Sequence, residues 1–187
     1  MPPVLASGLS RAMTDTGTPA PPPPAAGVFT CATEADTRAL AAALAPQLNA
    51  GDILYLEGDV GAGKTAFARA LIQATLHQDR LPPEDVPSPT FTLVQTYATA
   101  RHDIVHADLY RLSDPGEALE IGLAEAFEEA VCLIEWPDRL GADRPDGATL
   151  RWTVSPDEHR HVTLSGGPLA TKIARIAKSV LPQDQSP

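Results

Sequence analysis

A chain of 187 residues with 43% hydrophobic side chains is long enough for one domain with a sizeable core. No run approaches eighteen consecutive apolar residues, so the sequence contains no helical membrane span. The net charge of −10, from 24 acidic and 14 basic side chains, repels a phosphate backbone at long range and makes the chain alone a poor candidate for tight nucleic-acid binding.

In chain order, residues 1–27 (MPPVLASGLSRAMTDTGTPAPPPPAAG) hold small residues, a proline run at Pro21–Pro24 and no apolar stretch of secretory type. They read as a disordered extension, with 182–187 as a short disordered tail and 28–181 as a single domain. Thr33 followed by Asp36 predicts a capping box ahead of a helix over 34–47. A turn at Asn49–Asp52 leads into ILYLE, a buried strand at 53–57. In KTAFARALIQATL, Phe67, Leu71, Ile72 and Leu76 fall at helical spacing. The proline-rich stretch HQDRLPPEDVPSPT is a loop, and strands follow at Phe91–Ala98 and Asp103–Ala107. Ser113-Asp114-Pro115 offers a cap and an N1 proline for a helix starting near 114. VCLIEW is another buried strand, in which Cys132 reads as a buried free thiol suited to a reducing cytoplasm. TLRWTVS and RHVTLSG flank the turn PDEH as a β-hairpin, and LATKIARIAKSVL closes the chain as an amphipathic helix. On that helix Lys172, Arg175 and Lys178 read as a solvated face. Alternating strands and helices predict an α/β layered fold, and the terminal hairpin makes its central sheet mixed.

Gly58-Asp59-Val60-Gly61-Ala62-Gly63-Lys64-Thr65 matches G-x-x-x-x-G-K-[ST] in full. Such a loop turns successive N–H groups inward around a phosphate, which needs close approaches that glycine tolerates. The spacing lets Lys64 reach the β and γ phosphates and the Thr65 hydroxyl ligate Mg²⁺, while the following helix aims its positive end at the anion. At ordinary residue usage the four specified positions coincide in under about one chain of this length in a hundred. The strand before Gly58 and the helix after Gly63 make coincidence rarer still. A P-loop also needs an acid near the metal at the end of another strand, and Asp108 and Glu135 both qualify. The chain lacks an [NT]-K-x-D guanine-reading motif, which favours ATP over GTP. Between the two acids lies an acidic stretch rather than the basic lid of a small-molecule kinase.

GDVGAGKT, SPTFTLVQTY (88–97), HADLYRL (106–112) and CLIEWPDRL (132–140) together resemble the TsaE family, formerly YjeE, over about residues 30 to 165. The resemblance implies a P-loop NTPase fold with a central mixed sheet flanked by helices. It also implies a weak ATPase that supports the TsaD–TsaB pair in forming threonylcarbamoyladenosine at position 37 of tRNA. ATP and Mg²⁺ are then the cofactors, and tRNA is reached only indirectly through the complex. Carried onto this sequence, Asp59, Val60, Gly61, Ala62, Gly63, Lys64 and Thr65 would hold the phosphates, with Thr65 also on the metal. Glu135 would be the metal-side acid, and Asp108 would position water. Thr90, in a switch-like loop over 88–92, would sense the γ-phosphate; Trp136 would lie beside the nucleotide and Thr33 near the adenine. The chain departs from the family pattern at Ala66, where many members carry a second threonine, and at Gln95, where some carry glutamate. Two alternatives stay open: a nucleotide-gated binding module without productive hydrolysis, and a small-molecule P-loop phosphotransferase.

Overall fold

A computed structural model describes residues 25–141 and 144–182. Its single sheet has seven strands: β1 (Ala25–Cys31), β2 (Ile53–Glu57), β3 (Val94–Tyr97), β4 (Ile104–Asp108), β5 (Val131–Glu135), β6 (Ala148–Val154) and β7 (Arg160–Ser165). They are ordered β1-β7-β6-β2-β5-β4-β3. The middle four, β6, β2, β5 and β4, run parallel, while β7, β1 and β3 add antiparallel edges, so the sheet is mixed.

Helices α1 (Glu34–Leu44), α2 (Lys64–Gln78) and α5 (Gly167–Val180) cover one face, and α3 (Glu117–Glu120) and α4 (Leu123–Glu129) lie over the other. Strand alternation divides the core between the faces. Leu54, Leu56 and Leu133 pack with Leu40, Phe67, Leu71 and Ile173 on the first, while Ile53, Tyr55, Cys132 and Ile134 pack with Val105 and Leu123 on the second. Burial on both faces explains why β2 and β5 read as unbroken apolar runs.

The capping box forms as the sequence predicts. The Thr33 hydroxyl accepts from the Asp36 N–H at 3.2 Å, and the Asp36 carboxylate accepts from the Thr33 N–H at 2.8 Å. The α-helical part ends at Leu44, where Pro46 tightens the chain into a 3₁₀ turn over Ala45–Gln47. Three other expectations change. Strand β1 starts at Ala25, three residues inside the expected extension, because Val28 and Phe29 carry the chain along β7 as an edge strand. Its alternation is faint, since only Cys31 is fully buried. Residues 1–24 and 183–187 lie outside the described residues.

The strand expected over 91–98 shortens to β3 because Leu93 takes a left-handed conformation, φ 66°, and its N–H closes on the Pro89 carbonyl at 2.6 Å. The single helix expected from 114 divides in two, with Gly122 at φ 81° capping α4 and Asp114 forming a turn with the Gly116 N–H instead. On α5, Ala170, Ile173, Ala174 and Ala177 form the buried stripe. Arg175 and Lys178 are exposed as expected, whereas the Lys172 ammonium donates to the Gln47 carbonyl.

Both cysteines are buried and unpaired. Burial pushes the Cys31 thiol up to about 11 and Cys132 to about 12, from the ordinary 9.0. Neither should react with a thiol reagent at pH 8 in the folded chain, and both should react in denaturant. Because the folded values lie above the unfolded one, this contribution to stability is intact below pH 9 and falls as pH rises further. Separately, Thr33→Ala removes the α1 cap and should cost about 1 kcal/mol, read from the urea midpoint.

Candidate functional site

The loop Gly58–Gly63 joins the C-terminal end of β2 to the N-terminus of α2, at the crevice where parallel strands end. Gly58 has φ 135°, and a Cβ there would sit 2.4 Å from the Trp152 carbonyl oxygen, so only glycine fits. Trp152 is buried under the loop, stacked against Phe67 at 5.5 Å, and forms its floor. At the tip, Gly61 has φ 79°, and a Cβ there would meet no atom within 4 Å, which leaves the rim open for a phosphate.

Lys64, only 4% exposed, turns back onto the loop: Nζ donates to the carbonyls of Gly58 at 2.6 Å and Asp59 at 2.8 Å. It also lies 4.1 Å from the ring centre of Trp136. Desolvation pulls its pKa below the ordinary value, against the upward pull of Glu135, Asp108 and Asp59. Trp136 itself is left-handed at φ 57° and ψ 52°, a strained conformation for a bulky residue, and it packs on Tyr110 with ring centres 5.0 Å apart.

Parallel pairing of β4 with β5 sets Asp108 beside Glu135. The Thr65 hydroxyl lies 2.8 Å from Oε1 and 3.0 Å from Oε2 of Glu135. His106 Nε2 lies 2.9 Å from Oε1 of the same carboxylate. Asp108 is held separately: Oδ2 accepts from Thr90 at 2.7 Å and Ser88 at 3.2 Å, and Oδ1 from the Tyr110 N–H at 3.1 Å. Val60, Gly61, Gly63, Lys64 and Thr65 line a cleft of ≈ 380 Å³ together with Ser88, Thr90, Asp108, Tyr110, Glu135 and Trp136, while His106 is buried behind it.

The structure therefore gathers Lys64, Thr65, Thr90, Asp108, Glu135 and Trp136 around one cleft. Asp59 contributes its carbonyl to Lys64, and Ala62 is buried with its N–H on the Asp59 carbonyl at 3.2 Å. Thr33 is engaged in the α1 cap. Its neighbours Glu34, Thr37 and Arg38 line a second groove of ≈ 230 Å³ on the other side of Gly61, Gly63 and Ala66. Sequence reasoning missed His106, hidden as one polar letter in an apolar strand, and Tyr110, whose stacking on Trp136 has no local signal.

The donor set suits a hard divalent cation. One hydroxyl and one carboxylate stand together at the mouth of the loop. That is the sparse protein contribution Mg²⁺ accepts when phosphates supply further oxygens.

The family model for "Threonylcarbamoyl adenosine biosynthesis protein TsaE" matches residues 31–162, the stretch that carries every one of these side chains. The chain belongs to the TsaE family. Curated relatives named tRNA threonylcarbamoyladenosine biosynthesis protein TsaE include one from Rickettsia felis, 44% identical over 105 residues, covering 56% of this chain and 59% of the relative. That match thus spans about three-fifths of the relative's length. The Bacillus subtilis relative is 40% identical over 133 residues, covering 70% of this chain and 79% of its own. The relative from Aquifex aeolicus is 34% identical over 131 residues, covering 70% and 90%. Among solved structures, that of Bacillus subtilis YdiB superposes with a TM-score of 0.65 at 24% identity, covering 82% of this chain and 94% of the other. That likeness bears on the fold, and it agrees with a family fold built around one mixed sheet.

If a phosphate takes over the bonds that Lys64 makes to the Gly58 and Asp59 carbonyls, the contact of its ammonium with the Trp136 ring changes with them. Adding ATP with Mg²⁺ should therefore change tryptophan fluorescence in the native chain and in Trp152→Phe, while Trp136→Phe loses most of the response.

Proposed function

We propose that this chain binds and hydrolyses ATP with Mg²⁺ as the accessory ATPase of tRNA threonylcarbamoyladenosine formation, working with TsaD and TsaB. The observation that carries the reading is the Thr65–Glu135 pair beneath a complete P-loop, in a chain of the TsaE family. Asp59, Val60, Gly61 and Gly63 offer backbone N–H groups to the phosphates, Ala62 adds its own once it leaves the Asp59 carbonyl, and Lys64 exchanges its loop carbonyls for phosphate oxygens. Thr65 and Glu135 hold Mg²⁺, which supplies charge neutralisation at the phosphates. Asp108 orients the attacking water, and Thr90, bonded to it, transmits the state of the γ-phosphate to the loop over 88–92. Trp136 closes the cleft over Lys64. Thr33 sits at the end of α1 that borders the second groove, which would take the nucleoside end.

The carbamoyl transfer belongs to the partners, and a net charge of −10 supports contact with tRNA through them. Two buried free thiols support a reducing, cytoplasmic setting.

A second reading, a nucleotide-gated binding module, draws on one observation. The Asp108 carboxylate already accepts from three donors, as in a loop latch, and holds the switch-like segment closed.

Lys64→Ala is expected to lower ATP hydrolysis about a hundredfold and to abolish repeated turnover of threonylcarbamoyladenosine formation with TsaD, TsaB and tRNA. Unchanged modification by the variant would overturn the proposal. A non-hydrolysable ATP analogue separates the two readings, because a binding module sustains multiple turnovers with it and an ATPase does not.

A further inference from the structure

His106 is a polar residue where the strand pattern calls for an apolar one. On β4, alternation turns Ile104, His106 and Asp108 toward α2, and His106 is fully buried there. A core histidine ordinarily satisfies both ring nitrogens. Among the described residues Nδ1 has no hydrogen-bond partner, and the one bond that the ring makes there is Nε2 to Glu135 Oε1 at 2.9 Å. A carboxylate only accepts, so Nε2 is the donor. An apolar side chain of similar size would fill this place without leaving a bare nitrogen, so packing alone does not account for an imidazole.

The consequence of the bond lies on Glu135. Oε1 receives both His106 Nε2 and the Thr65 hydroxyl, whereas Oε2 has only the longer contact with Thr65 at 3.0 Å. Pinning one oxygen fixes the rotation of the carboxylate and leaves the other beside Thr65. We propose that His106 is a positioning residue that acts through Glu135, presenting its second oxygen to the Mg²⁺ that accompanies the nucleotide. The proposal rests on Glu135 being the metal-side acid. His106 itself touches neither nucleotide nor metal. Partners of this kind commonly tune metal affinity about 10- to 100-fold.

The test measures binding of a fluorescent ATP analogue to the full chain across a series of Mg²⁺ concentrations and in EDTA. His106→Leu should need about tenfold more Mg²⁺ to reach half of the Mg²⁺-dependent gain in affinity. Its affinity in EDTA should match the native chain. His106→Gln, whose side-chain amide reaches the same oxygen, should recover most of the native Mg²⁺ dependence. Glu135→Gln serves as the reference for the underlying reading.

If Glu135→Gln raises the Mg²⁺ requirement and folded His106→Leu does not, the role of His106 is overturned while that of Glu135 stands. If Glu135→Gln keeps the native Mg²⁺ dependence, the reading of Glu135 falls and the proposal falls with it. Equal losses for His106→Leu with Mg²⁺ and in EDTA would also overturn positioning, since they would mark a general structural defect. Should His106→Leu fail to fold, His106→Asn replaces it, because its shorter amide stops short of Oε1. Loss in His106→Asn with recovery in His106→Gln supports the proposal, and equal behaviour of the two overturns it.

Discussion

A carboxylate that is 2% exposed sits at the end of a central strand, and the arrangement of the site follows from keeping it there. Burying Glu135 is costly unless donors replace the water it gives up. Those donors come from two other elements: the Thr65 hydroxyl at the start of α2 and the His106 ring on β4. One side chain thereby ties three elements together at the mouth of the P-loop. Because strand side chains alternate, a slip of one residue between β4 and β5 would send His106 and Asp108 to the opposite face and leave the carboxylate without its imidazole donor. The polar cluster and the strand register specify each other.

Strain gathers at the same place. Leu93 and Trp136 are two of the four non-glycine residues with positive φ among the described residues; Trp136 lines the cleft and Leu93 is bonded to the backbone of Asp108, which does. Leu93 bends the chain so that its carbonyl accepts the Asp108 N–H at 2.9 Å, which brings Ser88 and Thr90 onto the Asp108 carboxylate. Trp136 turns sharply out of β5 and lays its ring over Lys64. Conformations of this kind persist where surrounding contacts over-determine them, and here those contacts belong to the candidate site.

What was legible in the sequence was local. The P-loop could be read because its phosphate-binding logic lies within eight consecutive residues, and Asp108 and Glu135 because strand ends show in a run of apolar letters. The α1 cap was readable for the same reason, with donor and acceptor three positions apart. The bond from His106 to Glu135 spans 29 positions and depends on which strands become neighbours, so no local pattern announces it. β1 escaped because an edge strand with Val28 66% exposed lacks the apolar alternation of a core strand. The break at Gly122 was hidden inside helical text, since an isolated glycine can be tolerated within a helix pattern.

The charges around Lys64 constrain what the cleft can accept. Its ammonium faces Glu135, Asp108 and Asp59, each of which favours its charged form, while desolvation opposes it. One cation among three carboxylates leaves the local balance negative, and a polyphosphate entering alone would meet that repulsion as well as lose the Lys64 contacts to Gly58 and Asp59. Each hydrogen bond that Lys64 makes to a phosphate would replace one it already makes to the loop, so the exchange contributes only the difference between them. On the proposed function, a divalent cation at Thr65 and Glu135 would neutralise that balance on the side where the carboxylates lie. If Glu135 is the metal-side acid, the geometry that buries it would couple nucleotide affinity to the metal, and a group that holds Glu135 in place would act on both.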